Sequence, residues 1–525
     1  MAILRSTRNI VVPANAPPLY TVRLNKRSIF FSFLMVINIL LMPIKAYISE
    51  PFPWTQTSLS VDCFENFTSC SPIILNYFQN QTHLLNANEP YITSTAFDLA
   101  RLPFPLVPAE FESTYISSLP YSIFYSKSQM QLAEQLAKGL INVSAFSSTQ
   151  RITFTRMPIS YTALWAEPGN TTNFMHVGYI RAATSTTWRL FKFLYRLVLS
   201  GYLSHLLWIK YFQHCHQLFW NLTNFKVAGM PIDCPLELVL GDATSIILLD
   251  PLVCLLFIVD FWMSSDFVAL AFIRVMQTSS FDTFFIACLY LSRTLWFGYG
   301  ALALTSFCLK KLKKEKYFHP VDPTWTAISV MAIAGPFTLM QASLPLFRNI
   351  YNYVITCLAS NSNEIESSLA AVVYTTLIGG LPILVGATPR FSCRQSQKLG
   401  PQIAHINHGA YQQNDMKNRW VTWLTFFTLR RVDLVMVGGG VYEMFDKCPK
   451  LMKNLGIRQR GSDCYVIYKS DEALLSVRLT LLSCIDIQPP LTIQMSSEKI
   501  AIGIIKQSKN SWKIDQGANR SMWIM

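Results

Sequence analysis

Three ionisable residues lie inside strongly apolar stretches of this 525-residue chain: Asp250 and Asp260 in SIILLDPLVCLLFIVDFW (residues 245–262) and Arg293 in FFIACLYLSRTLWFGYGALALTSFC (residues 284–308). A charge in apolar surroundings is costly, so it finds a partner or lines a water-filled path. On one helix a ten-residue spacing sets the two aspartates ~15 Å apart along the axis and ~80° apart around it. Arg293 can therefore pair with one or the other. Two chemistries follow: ion pairs that hold helices together, or a polar pathway for an ion or solute. Asp250 precedes Pro251, which removes a backbone donor and can break a helix there. Broken helices at membrane depth form ion sites in transporters.

Other constellations carry less. The close histidine pairs are His214 with His216 and His405 with His408, and neither has a carboxylate at zinc-protease spacing. No metal is expected. The run Gly438-Gly439-Gly440 lacks the Lys-Ser/Thr of a phosphate-cradling loop and predicts a turn. GxSxG, HExxH and CxxC are all missing. The sequence thus offers no catalytic residue and no cofactor site.

The elements that must position the three charges are apolar blocks. The chain is 51% hydrophobic and 14% charged, against about 25% charged in an ordinary soluble domain. Its apolar residues gather at 29–47, 193–212, 245–262, 284–308, 326–346 and 370–386. About 20 apolar residues cross a ~30 Å hydrocarbon layer as a helix. The pattern predicts an α-helical polytopic membrane protein of about six transmembrane helices, with a mixed α+β extracytoplasmic domain and a small cytosolic α+β tail domain.

Charge orients this scheme. Arg5, Arg8, Arg23, Lys26 and Arg27 precede the first block, which makes residues 1–28 a cytosolic basic segment and 29–47 an uncleaved signal anchor. Residues 48–187 then form the extracytoplasmic domain. It carries glycosylation sequons at Asn66, Asn80, Asn142 and Asn170, and Cys63 and Cys70 sit close enough in sequence for a local disulfide. Residues 193–212 are transmembrane or interfacial, and residues 245–346 hold helices three to five. Lys310, Lys311, Lys313, Lys314 and Lys316 mark a cytosolic loop at 310–316. Residues 370–386 are the sixth crossing, and 388–525 are a basic cytosolic tail with a small domain at 421–495. A fifth sequon, at Asn221, falls on the wrong side of this scheme. The expected partner is the bilayer, with anionic lipid at the lysine loop and tail. Neither protein partners nor nucleic acid are implied. The expected location is the plasma membrane or the secretory and vacuolar endomembranes.

Residues 241–251 (GDATSIILLDP), 257–275 (FIVDFWMSSDFVALAFIRV) and 289–299 (LYLSRTLWFGY) with the lysine loop, and 319–325 (HPVDPTW), together resemble a large family of multi-span membrane proteins from oomycetes. The resemblance runs from about Tyr195 to the end of the sixth block. It implies the architecture and no catalytic residue. Because folded mass is expected on both sides of the helices, the expected function is receptor-like or scaffolding, and the alternative is a transporter or channel using a polar pathway near Asp250, Asp260 and Arg293.

Overall fold

The computed structural model describes most of the chain between Tyr20 and Met525; it does not describe residues 1–19, 56–66, 84–88, 107–118, 389–423, 425–433, 448–462, 485–491 and several shorter interruptions. The stretch RITFTRMPISY (residues 151–161) supplies a hairpin. Strand Ser147–Phe154 turns at Thr155 and Arg156 into strand Met157–Pro168. Both turn residues have positive φ, 49° and 68°, the backbone handedness that matches strand twist in a two-residue hairpin. Asn173–Ala182 and Phe97–Pro105 extend the sheet antiparallel, and Tyr91–Thr93 closes that edge. At the other edge Glu364–Glu366 adds in parallel to Arg151–Thr153, about two hundred residues away in sequence.

Both faces of this sheet are covered. Helix Phe67–His83 lays Phe78 on Tyr179, with ring centroids 4.4 Å apart. Phe267, Leu270 and Ala271, from helix Ser265–Gln277, share an apolar core with Ile152, Leu164 and Ile180 on the opposite side. Spacing within residues 130–140 predicts a helix burying Leu132, Leu136 and Leu140. The helix is Lys127–Ala137, and it buries Gln129, Ala133, Leu136 and Ala137 while Leu132 and Leu140 are exposed. The buried stripe follows i, i+4, i+7 spacing from Gln129 and takes in only Leu136 of the three leucines.

A second sheet gathers distant segments. Its order is Val22–Leu24, Leu236–Leu240, Asp463–Ser470, Ala473–Leu481 and Trp523–Ile524, with Leu434–Gly438 also paired to Ala473–Leu481. The tail strands therefore complete a sheet begun at the amino-terminal end. Thr492–Met495, Ser511–Gln516 and Ile504–Ser508 form a third, smaller sheet. Between the two large sheets runs helix Thr186–Leu207, continued through a π turn into Gln213–Asn224. Its Leu203, Leu207 and Leu218 are fully buried against Leu238, Val466 and Leu479 of the second sheet.

This architecture corrects the six-crossing expectation. Among the described residues two helices are long and apolar enough to cross a membrane, Pro323–Gln341 and Ser368–Ala387; a third arises only if the pair Pro251–Trp262 and Ser265–Met276, bent by 75°, counts as one. Each lost crossing has a physical cause. Residues 29–47 hold a helix of only 15 residues, Lys26–Leu40, before Pro43 leads into a 3-10 turn, and 15 residues reach about 22 Å. Residues 193–212 belong to a longer helix that buries Arg189, Lys192 and Arg196. Residues 245–262 break before Pro251, and residues 284–308 break at the 3-10 turn Ser292–Thr294. Hydropathy counts side chains and does not see these breaks in the backbone.

The bulk of the chain is an α+β fold with open sheets, not a helix bundle joining two separate masses. The receptor-like, scaffolding and transporter readings lose the architecture they required. The expected Cys63–Cys70 disulfide fares differently: Cys70 is disulfide-bonded, and its expected partner falls outside the described residues. No disulfide links two described cysteines, Cys63 lies outside the described residues, and Cys215, Cys234, Cys254, Cys288, Cys308, Cys357, Cys464 and Cys484 are free thiols.

Candidate functional site

Where the long helix leaves the first sheet, six charged side chains meet in the interior. Helix Thr186–Leu207 contributes Lys192 and Arg196, four residues apart and so on one face. Asp260 comes from helix Pro251–Trp262, Asp266 from the first turn of Ser265–Gln277, and Arg293 from the 3-10 turn. Glu50 follows the 3-10 turn Ile44–Ile48. All six are buried, Arg196 and Asp260 completely.

Glu50 and Arg196 are the hub. Arg196 Nη1 and Nη2 donate to the two Glu50 carboxylate oxygens at 2.9 and 2.7 Å, and its Nε donates to Asp260 Oδ1 at 2.8 Å. The remaining proton of Nη2 goes to Ser264 Oγ at 2.8 Å. Lys192 Nζ reaches Glu50 at 3.2 Å and Asp266 at 3.7 Å. Arg293 bonds to Asp260 and lies 3.4 Å from Glu50. The Tyr290 hydroxyl donates to Glu50 Oε1 at 2.6 Å. Aromatic faces complete the enclosure: Arg196 sits 4.8 Å over Tyr47, Lys192 4.7 Å over Phe267, and Arg293 4.9 Å over Tyr290.

Three carboxylates face three cations, so the formal charge sums to zero. That balance is what allows such a cluster to leave water. Burial would raise the Glu50 carboxyl, but the charges of Arg196 and Lys192, with the Arg196 hydrogen bond, outweigh it and hold the group well below the usual carboxylate range. Burial alone would lower the Arg196 guanidinium, and Glu50 and Asp260 reverse that, leaving it raised. A carboxyl depressed on folding adds stability that is complete above its unfolded value, near pH 4.3, and is lost as the pH falls through the folded value. The difference in melting temperature between the native chain and Glu50→Gln is therefore expected to be widest near neutrality and to narrow below about pH 4. A difference that stays constant from pH 7 to pH 3 would exclude an ionised Glu50 from the network.

The three charges singled out in the sequence do not act together. Arg293 meets Asp260, whereas Asp250 is taken by Lys210 at 2.8 Å and accepts from the backbone N–H groups of Leu252 and Val253. Asp250-Pro251 is thus a helix start, with proline at the first position where its missing donor costs nothing. Glu50, Lys192, Arg196 and Asp266 escaped sequence reasoning as site residues. One signal was available: Glu50 is the first acidic residue in the chain, and five basic residues precede it in the amino-terminal segment alone.

Smaller carboxylate sites also join distant segments. Asp98 of the first sheet pairs with Arg274 at 2.7 Å. Glu366 accepts from the backbone of Thr155 and Arg156 in the hairpin turn and of Ser368 at a helix start, each at 3.0 Å. Among the described residues no group of three or more His, Cys, Asp or Glu side chains is arranged to hold a metal ion. His214 offers its carbonyl to Trp523 Nε1 at 2.9 Å, and His405 and His408 lie outside the described residues. Asn80, Asn142 and Asn170 are exposed, and Asn66 lies outside the described residues. Asn221 is buried within helix Gln213–Asn224.

Comparisons with protein-family models, curated proteins and solved structures give no match to this chain. The resemblance to multi-span oomycete proteins is corrected accordingly, since neither a family model nor the number of membrane-length helices supports it. What stands is a pair of apolar helices of membrane-crossing length, consistent with lipid contact and with association with a membrane.

Proposed function

We propose that this chain works at an anionic lipid surface, anchored there by Pro323–Gln341 and Ser368–Ala387, with the buried charge network holding its helices in one arrangement. The observation that carries the reading is the outer face of Ser368–Ala387. Val372, Val373, Leu377, Leu384 and Val385 are all exposed on it. In water each such side chain forgoes roughly 1.5–3 kcal/mol of burial; in hydrocarbon the cost disappears. Trp325, Ile328, Met331 and Met340 give the other helix a similar face.

The lysines support the choice of lipid. Helix Leu295–Leu312 packs on Ser368–Ala387, where Gly298 lies against Pro382 and the Ile378 carbonyl. It ends in Lys310 and Lys311, and Lys313 and Lys314 follow, with Lys311, Lys313 and Lys314 exposed. Basic residues near an anionic surface contribute about 1 kcal/mol each, screened by salt. A plasma or secretory membrane is favoured by the exposure of the sequons at Asn80, Asn142 and Asn170.

Alkaline carbonate extraction tests the anchoring. The native chain is expected to stay with membranes and to leave only with detergent. Val373→Lys with Leu377→Lys should release most of it, because lysine at a helix centre costs about 2.5–3.5 kcal/mol per residue in a bilayer. Flotation with anionic and neutral vesicles checks the lysines in the same preparation. A native chain that washes into the carbonate supernatant, or that floats equally with both vesicle types at low salt, would remove the corresponding half of the proposal.

A further inference from the structure

A cavity of about 110 Å³ lies between the edge of the first sheet and helix Ser368–Ala387, and its walls are almost wholly carbon. Ile152, Phe154 and Ile365 form the sheet side, Phe261 and Trp262 stand at the bend between two helices, and Ala371 and Tyr374 close the helix side. An apolar cavity of ~150 Å³ is large enough to take benzene and stays dry when empty. Left unfilled, such a space destabilises the fold in proportion to its volume. We propose that it is a binding site for the terminal methylenes of a lipid acyl chain.

Three observations select this occupant. The helix that walls the cavity presents Val372, Val373 and Leu377 to the outside on its neighbouring face, so under the proposed anchoring the cavity adjoins hydrocarbon. The space is partly open rather than sealed, which suits a chain entering end-on. Small residues line it where larger ones would fill it: Ala269 and Ser265 from one helix, Ala370 and Ala371 from the other.

The inference rests on the proposed contact with lipid, but its test needs no membrane. The full chain, purified in a fluorinated surfactant that does not mix with hydrocarbon, is titrated with cis-parinaric acid, a fatty acid that fluoresces in apolar surroundings. Saturable binding of one probe per chain is expected. Ala371→Trp should weaken it at least tenfold by filling the cavity. Circular dichroism and the melting temperature show whether each variant folds, and Ala269→Phe fills the opposite wall if Ala371→Trp does not. Mass spectrometry of extracted lipid then tells a free fatty acid from a phospholipid as the source of the chain. Absence of saturable binding, or unchanged affinity in a folded cavity-filling variant, would overturn the site. A chain that washes off membranes yet binds the probe would sink the anchoring and leave the cavity; retention without probe binding would do the reverse.

Discussion

Arg196→Ala is expected to destabilise the protein by about 3–5 kcal/mol, the usual cost of removing one partner from a buried ion pair. The side chain makes four hydrogen bonds, two to Glu50 and one each to Asp260 and Ser264. Its loss leaves three buried carboxylates facing two cations, and the surplus charge has no water to reach. Because a domain is stable by only about 5–15 kcal/mol, the variant should unfold at markedly lower urea. Arg196→Lys should fall between the two, since an ammonium cannot span both Glu50 oxygens and Asp260 as the guanidinium fork does. The neutral pair Arg196→Met with Glu50→Gln removes opposite charges together and should recover part of the loss. Urea midpoints followed by tryptophan fluorescence decide this. A single variant within about 1 kcal/mol of the native chain would mean the network does not hold the helices.

How far this cluster could be read beforehand depends on where each residue sits. Arg293 and Asp260 stand out because they interrupt apolar runs, and a charge there needs a partner. Asp250 stands out for the same reason, yet its partner is Lys210 and its role is to start a helix. Sequence alone cannot separate these cases, since both aspartates suit a nearby cation and only the break at Pro251 sends them apart. Glu50 was harder still. It lies in the connection after Ile44–Ile48, outside every long apolar run, and it meets Arg196 across 146 residues. The strand pairings share that difficulty. Glu364–Glu366 is three residues long and reads as loop until Arg151–Thr153 is set beside it. Val22–Leu24 reads as part of a basic leader until it pairs with Leu236–Leu238. Helix breaks at Ser292–Thr294 and after Trp262 change the number of membrane-length helices without changing composition at all. Local apolar character was visible; the backbone breaks and the long-range partners were not.

Arg478→Ala is expected to cost a similar ~3–5 kcal/mol, but to loosen a different part of the molecule. Asp463, opposite Thr480, and Arg478, opposite Tyr465, are diagonal neighbours on the Asp463–Ser470 and Ala473–Leu481 hairpin, and both are buried. Arg478 Nε donates to Asp463 Oδ2 at 2.8 Å, and the Tyr442 hydroxyl donates to the same carboxylate at 3.1 Å. The guanidinium also stacks 4.1 Å over the Tyr442 ring, which ties helix Gly440–Lys447 to the sheet. The Gly438–Gly440 run, a turn in the sequence reading, is what brings that helix in. Gly438 has a φ of +93°, and a Cβ there would come within 2.5 Å of the Arg478 carbonyl. With Arg478 gone, the Asp463 carboxylate keeps only hydroxyl donors in an apolar interior, and pairing between the tail strands should weaken. Amide hydrogen exchange is the sharper measure, because it locates the loosening. Exchange should quicken in Asp463–Ser470 and Ala473–Leu481 while helices Thr186–Leu207 and Pro251–Trp262 stay protected; Arg196→Ala should give the opposite map. The two clusters share no residue, so their costs should add in the double variant. Identical exchange maps for the two single variants would show instead that both clusters open only with the whole fold, and that the chain unfolds as one cooperative unit.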